Sequence, residues 1–498
     1  MAQGRIDGSE KIGWKQMRPH SEYSSKASRI SRRHFLRYCA VGGIVAGGTS
    51  AVWAMSEPAR KSVAVASRRP NIIFIFADDW GYGDLGIHGS TFCNTPNLDR
   101  MAKEGIDFQQ FTVNNPVCSP SRTAVMTGQF PALHCIHQHF ASVEHHQKAG
   151  MPDWLDPGLP LLPKLLKEVG YVTGHFGKWH LTNRHIPDAP LPTEYGCDEY
   201  GAFNVPGLQI KTGETCPRTV DFIRRHKDQT FFINVWLHET HTPHYPQKEY
   251  MKKFTHLDEQ KQVYASVVAE ADAGIGTIFS TLKELGLDKD TLVIFSSDNG
   301  PEWTGKRTTQ DDNSTGRGLG TYYSVGQTAG LKGQKRSLFA GGIRVPFIAR
   351  WPGVIPKGKV DRTSVLTAVD LFPTFLELAG QPVPANIKLD GESIFVALKG
   401  LGFKRTQPIH WEWRGGHGPP YLWPHLGIRD GKWRMLINQE LNRSELYDIE
   451  ADWAETTNVA RENPDVVKML TKKALAWKRS LPTEPPANCF SSLRTKHQ

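Results

Sequence analysis

The chain has 498 residues, enough for a large core and more than one domain. Sixty Lys and Arg against fifty Asp and Glu give a formal charge of +10, but nine of those cations and three of the acids lie in residues 1–54. The excess therefore belongs mostly to a leader, which argues against a nucleic-acid-binding protein. Residues 1–30 are polar and basic. Ser31-Arg32-Arg33-His34-Phe35-Leu36-Arg37 then precedes an uncharged stretch from Tyr38 to Ala54. This pattern predicts a basic tail and twin-arginine signal peptide over 1–54, hence an exported, periplasmic protein and the twin-arginine export machinery as a partner. The alternative is an uncleaved membrane anchor, for which the stretch is short and rich in Gly. Residues 55–69 read as a linker.

From there apolar runs alternate with helical patterns. Asn71–Phe76 predicts a buried strand, Leu161–Val169 a helix and Tyr171–Phe176 a strand. Phe231–Trp236 and Thr291–Ser296 predict two more strands, with a long helix over Gln260–Leu287 between them. Val345–Arg350 is strand-like and Asp370–Ala379 helical. This alternation predicts an α/β fold, a large and largely parallel sheet covered by helices, over a catalytic domain at 70–400. After residue 400 short strands at Pro408–Trp413, Gly427–Asp430 and Trp433–Ile437 lead to Leu446-Tyr447-Asp448 and a helix over Pro464–Arg479. They predict a smaller antiparallel C-terminal subdomain over 401–498. Outside the leader the cysteines are Cys93, Cys118, Cys135, Cys197, Cys216 and Cys489, with no C-x-x-C pair. That leaves room for one or two disulfides but not for a dense framework.

Three groups of residues carry chemistry. Cys118-Ser119-Pro120-Ser121-Arg122 begins a helix, with Ser119 as candidate cap, and ends at Thr127-Gly128. Cys118 then points at a helix N-terminus, where anions are favoured, and Arg122 lies one turn on. Asp78-Asp79 and Asp298-Asn299 each follow a strand, and strand ends in open α/β sheets surround the ligand crevice. Their hard oxygens suit Ca²⁺ first and Mg²⁺ second. His134, His137, His139, His145 and His146 are too irregularly spaced for a zinc site. Lys178 and His180 follow one strand, and His238, His241 and His244 follow another. Lys332 and Lys335 precede Gly341-Gly342-Ile343-Arg344.

The order D-D-x-G, C-x-P-x-R, G-K-W-H, H-x-P, S-D-N-G and G-x-K before G-G-x-R-x-P resembles that of the type I, formylglycine-dependent sulfatases. The resemblance implies an alkaline-phosphatase-like α/β fold and hydrolysis of a sulfate ester, here of a sulfated small molecule or saccharide. It implies a formylglycine made from Cys118 by a maturation enzyme, with Asp78, Asp79, Cys118, Asp298 and Asn299 at the metal. Arg122 and His180 would hydrogen-bond the formylglycine hydrate, with His180 its base. Lys178 and Lys335 would bind sulfate, and His241 would bind substrate and serve the leaving oxygen, with His238 and His244 open alternatives. Lys335 is chosen over Lys332 for its offset from Gly341. Ala340 departs from the family, which usually has Glu there. The rival readings are a phosphodiester or phosphonate ester hydrolase of the same superfamily and an inactive glycan-binding member. Two loops are expected to line a sugar pocket. One is Trp303–Gln327, with Lys306, Arg307, Arg317, Tyr322 and Tyr323, and the other is flanked by Trp411, Trp413, Tyr421 and Trp423.

Overall fold

A computed structural model describes residues 69–312, 315–415, 423–438 and 440–494. The arginine pair, the signal and Tyr421 lie outside the described residues. The central layer is an eight-stranded sheet. In chain order its strands are β1 (Asn71–Ala77), β2 (Ile106–Phe108), β3 (Val172–Lys178), β4 (Glu199–Phe203), β5 (Phe231–Trp236), β6 (Thr291–Ser297), β7 (Phe347–Arg350) and β8 (Lys359–Asp361). Their spatial order is β8-β2-β7-β6-β1-β5-β3-β4. β7 runs antiparallel to both of its neighbours, and every other pairing is parallel, so the sheet is mixed.

The residues of β1 show why. Ile72, Phe74 and Phe76 pack into one core cluster and Ile73, Ile75 and Ala77 into another, all fully buried. A strand covered on both faces has no reason to alternate with polar residues, hence the continuous apolar run. The covering helices include α1 (Pro96–Glu104), α2 (Cys118–Thr127), α3 (Leu162–Glu168), α4 (Thr215–Arg225), α5 (Glu259–Glu284) and α6 (Leu371–Ala379). A second, antiparallel sheet follows in the order β9 (Ile409–Glu412), β10 (Leu426–Asp430), β11 (Trp433–Ile437) and β12 (Ser444–Asp448). It packs on α7 (Pro464–Ser480) through Ile428, Met435, Leu446, Leu470 and Ala474. This is the predicted α/β class, with a large mixed sheet and a small antiparallel one.

Register then places the site. β1 lies between β6 and β5, and β3 lies beside β5, all parallel. Ala77 pairs with Ser297, so Asp78-Asp79 and Asp298-Asn299 leave the sheet side by side. Lys178 ends β3, and His238 lies just past β5, on the same sheet edge.

Some expectations are corrected. The N-cap of α2 is Val117, so the helix starts at Cys118; the Ser119 hydroxyl instead accepts the Phe140 N–H at 3.0 Å. Gly128 ends the helix in left-handed conformation, φ 67°, as a T-G ending requires. All six described cysteines are free, buried thiols, so none forms a disulfide. Trp411 and Trp413 are core residues and not sugar platforms, and Trp411 donates to the Val113 carbonyl. No helix among the described residues is long and apolar enough to cross a membrane.

Candidate active site

Cys118 opens a helix whose ten residues are all buried, and it is itself 2 % exposed. The Lys178 ammonium donates to Asp78 Oδ2 at 2.6 Å and to Cys118 Sγ at 3.3 Å, which ties three sequence-distant segments to one point. Arg122 is fully buried. It pairs with Asp298 Oδ2 at 2.5 Å, lies 3.6 Å from Asp78 Oδ1, and donates to the Lys178 carbonyl at 3.1 Å. Trp236 covers its guanidinium, 4.9 Å from the ring centre. Lys335 donates to Asp79 Oδ2 at 2.6 Å and lies 3.2 Å from Glu302 Oε2. Asn299 donates to Asp79 Oδ1 at 2.6 Å.

Ligand atoms of Asp78, Asp79, Cys118 and His241 lie within 4.8 Å of one another. Asp298 stands behind this group, held by Arg122 and by the Asp79 N–H at 3.3 Å. Asp78 Oδ1 and Asn299 Oδ1 are buried without a hydrogen-bond partner. Orphaned buried oxygens are costly, and a set of hard oxygens left so fits a divalent cation. The electrostatics agree. Burial opposes the charge of Asp78, yet the Lys178 ammonium, a hydrogen bond with His238 and the Arg122 guanidinium hold its carboxyl well below the usual range. Burial raises Asp79, helped by Asp78 and Glu302 against Lys335. Burial and Asp78 push Asp298 up to about 7 against Arg122. Carboxylates that penalise each other's ionisation have more acid than the local cations balance. Burial also pushes the Cys118 thiol up to about 12, so the unmodified residue is a neutral thiol and not a thiolate.

His180 donates Nε2–H to the Phe140 carbonyl at 2.9 Å, since a carbonyl can only accept. Its buried Nδ1 is left without a partner and without a proton. Burial, then Lys178, hold the ring well below its usual pKa, so it stays neutral. His241 donates Nδ1–H to the Thr242 carbonyl, and its Nε2 lies 3.7 Å from Asp79. His238, left open by the sequence, bonds Asp78 Oδ2 at 2.8 Å through Nδ1 and stacks on His241. His244 is buried against Ser324, away from the carboxylates. Lys332 turns outward to Glu445 and Tyr447, 2.9 Å each. The sequence reading missed Glu302 and Thr240, whose hydroxyl donates to the Asp78 carbonyl at 2.5 Å. Glu302 lies three residues after Asn299, but only the folded loop brings it to Lys335. Of the expected pocket loop, Arg307 and Tyr323 are held by Glu259, and Arg317 faces Asp311.

Comparison with known proteins agrees with this assembly. The Sulfatase family profile matches residues 70–381, and the profile for the C-terminal part of N-sulphoglucosamine sulphohydrolase matches 333–480. Dog N-acetylgalactosamine-6-sulfatase is 34% identical over 391 residues, which cover 70% of this chain and 69% of the relative. Human arylsulfatase A is 32% identical over 400 residues, covering 70% and 71%. The crystal structure of Ps i-CgsB in complex with k-i-k-neocarrahexaose superposes with a TM-score of 0.68 at 28% identity, covering 86% of this chain and 96% of that one. With a family match over most of the large sheet and the same motifs converging on one sheet edge, the chain belongs to the sulfatases, hydrolases of sulfuric esters.

Proposed function

We propose that the protein hydrolyses a sulfate ester of a carbohydrate, using formylglycine made from Cys118 and a divalent cation, Ca²⁺ before Mg²⁺. The observation that carries this reading is the Lys178 ammonium shared between Asp78 and Cys118 Sγ, beside the orphaned oxygens of Asp78 and Asn299. The name N-acetylgalactosamine-6-sulfatase of the dog relative and the k-i-k-neocarrahexaose bound by the structural neighbour support a sulfated sugar.

Asp78, Asp79, Asp298 and Asn299 would hold the cation, which when bound balances charge on the sulfate oxygens. Formylglycine, as its hydrate, would supply one hydroxyl to attack sulfur and a second through which sulfate is later expelled. The other roles belong to residues in view. His180 Nδ1, unprotonated and neutral, takes the proton of the second hydroxyl. Arg122 holds Asp298 and Asp78 in place. Lys178 and Lys335 face the sulfate oxygens, their charge offsetting that of the transition state. His241 serves the leaving oxygen from Nε2, because Nδ1 is committed to Thr242. The incoming sulfate charge offsets the burial and the Lys178 ammonium that keep the ring neutral.

Cys118 opens a helix whose ten residues are all buried, leaving little room for a whole modifying enzyme, so the formylglycine-generating enzyme would act before α2 is packed. Export of the finished, folded protein through the twin-arginine route to the periplasm fits that order.

The test is twofold. A peptide mass spectrum of active protein should show the aldehyde at position 118, and unmodified thiol alone would count against the mechanism. A panel of matched esters should show a sulfate ester, 6-sulfated galactosamine among the first tried, hydrolysed faster than the corresponding phosphate diester. The reverse preference would favour the phosphodiesterase reading.

A further inference from the structure

The structure holds a second cavity, of about 1120 Å³, and none of the residues gathered around Cys118 lines it. Its wall joins the edge of the large sheet to the small one. Gln110 follows β2, Arg362 follows β8, Arg429 lies on β10, and Arg344 follows the Gly341-Gly342 pair. The wall is cationic in an unusual way. Arg344 and Arg429 are each 3% exposed, yet neither has a carboxylate partner among the described residues. Among the described residues the Arg344 side chain donates to the Trp453 carbonyl at 3.2 Å and lies over the Trp453 ring, 5.8 Å from its centre, while its Nε is orphaned. Arg429 donates to the Gly431 carbonyl and the Gln110 side chain. Arg362 and Lys404 line it as exposed cations with no ion pair among the described residues. Of the acids in the wall, Asp430 is taken by Lys473 at 2.5 Å, which leaves Glu450.

Buried guanidinium groups are normally paired, because an uncompensated buried charge is costly. Here burial lowers Arg344 to about 10 and Arg429 to about 9, the latter further opposed by Arg344 itself. Glu450 offsets Arg429 only in part and no carboxylate offsets Arg344, so the wall keeps an excess of positive charge that the cavity has room to see balanced. The cavity exceeds the roughly 300–1000 Å³ of small-ligand pockets, so a lone ion would leave it mostly empty. Trp453 is 43% exposed at its rim and offers an indole face of the kind that stacks on a sugar ring.

We propose that this cavity is a second, non-catalytic binding site for an acidic oligosaccharide. Sulfate or carboxylate groups of the chain pair with Arg344, Arg429, Arg362 and Lys404, and a sugar ring lies on Trp453. Binding here is read without turnover, so its failure and the failure of the catalytic reading are separate results.

The experiment is calorimetric titration of the full chain, every protein carrying Cys118→Ala so that no ester is cleaved, with a 6-sulfated galactosaminoglycan tetrasaccharide and, separately, with sodium sulfate at matched ionic strength. In that background the proteins are the otherwise wild-type chain, the rim double variant Arg362→Ala/Lys404→Ala, and Arg344→Gln; the rim pair is also made with Cys118 intact for the activity control. Losing two charge contacts should weaken tetrasaccharide binding about tenfold, with a shallower salt dependence than in wild type. Hydrolysis of a small aryl sulfate should stay within about twofold in the rim variant, since neither residue touches the Cys118 site. If Arg344→Gln does not fold, the exposed rim pair decides the matter. Tetrasaccharide affinity unchanged in the rim variant would overturn the proposal. Sodium sulfate binding as tightly as the tetrasaccharide, and weakened by the same substitutions, would replace it with a site for the free anion.

Discussion

Asp79 and His180 both hold left-handed backbone, with φ of 61° and 53°. Asp and His tolerate it better than most side chains, but such positions still cost roughly 1–3 kcal/mol each and persist only where their surroundings enforce them. Both stand at the carboxyl edge of the sheet, where the strained turn aims Asp79 at Lys335 and leaves His180 Nδ1 unpaired. The same scale separates the two lysines of the 331–335 segment. Lys335 is 3% exposed against Asp79, whereas Lys332 lies against Phe339, Glu445 and Tyr447. Removing one preorganised contact to a developing charge typically costs about 10²–10³ in rate. Lys335→Ala should therefore lower kcat/KM on a sulfate ester by that order, while Lys332→Ala acts mainly on thermal stability. Steady-state kinetics and melting curves of the two variants check this, and a larger kinetic loss in Lys332→Ala would contradict the assignment.

At the scale of elements, two glycine motifs work as one. Gly300 donates its N–H to the Gly342 carbonyl at 2.9 Å, and a Cβ on Gly300 would stand 1.8 Å from the Gly341 carbonyl. Lys335 N–H bonds the Pro301 carbonyl at 3.0 Å, and the Trp303 indole bonds the Lys335 carbonyl at 2.8 Å. The end of β6 thus clamps the lysine loop, which explains S-D-N-G and G-G as packing requirements. Beside Ala340, the departure from the family pattern, the buried Glu455 accepts the Ala340 N–H at 2.7 Å and pairs with Arg434 of β11. β9 is tied down in a similar way. Glu412 lies against His137, Arg414 and Lys478. Burial opposes its charge, but these partners hold it down at about 2, below the usual 4.5. A depressed carboxyl stabilises the fold above its unfolded pKa and loses that contribution as pH falls through its folded one. Glu412→Gln should lower stability near pH 7 by about 1–3 kcal/mol, with the gap to wild type narrowing from pH 4.5 toward 2. Calorimetric melting across that range is the check, and a pH-independent gap would refute the coupling.

For the whole molecule, a cation held by the crowded carboxylates of the crevice would couple metal to stability. A cation that binds the folded chain and not the unfolded one adds about 2.7 kcal/mol at a hundred times its Kd. Ca²⁺ added to chelated protein should raise Tm, and Asp78→Asn/Asp79→Asn should abolish the rise. A wild type whose Tm ignores chelator and Ca²⁺ alike would argue that Asp78 and Asp79 hold no metal. Export belongs to this scale too. Arg32→Lys with Arg33→Lys should leave the protein in the cytoplasm on cell fractionation, and normal export of that variant would point to another route.

The sequence by itself determined the sheet core and the chemistry of the crevice. NIIFIF, FFINVW and TLVIFS are covered on both faces, so burial wrote them as dominantly apolar runs, FFINVW broken by the buried Asn234, followed within a few residues by Asp, His and Asp in turn. Motif order and the C-x-P-x-R helix start were equally local. The short strands β2, β4 and β8, at or next to the sheet edges, were not legible, because a run such as Ile106-Asp107-Phe108 is extended only through pairing with neighbours. The choice of His238 and Glu302 as partners of Asp78 and Lys335, and the burial of Trp411 and Trp413, were decided by tertiary structure alone. So was the second cavity, whose cations come from positions 344, 362, 404 and 429. No pattern of spacing joins them; the packing of one sheet against the other does.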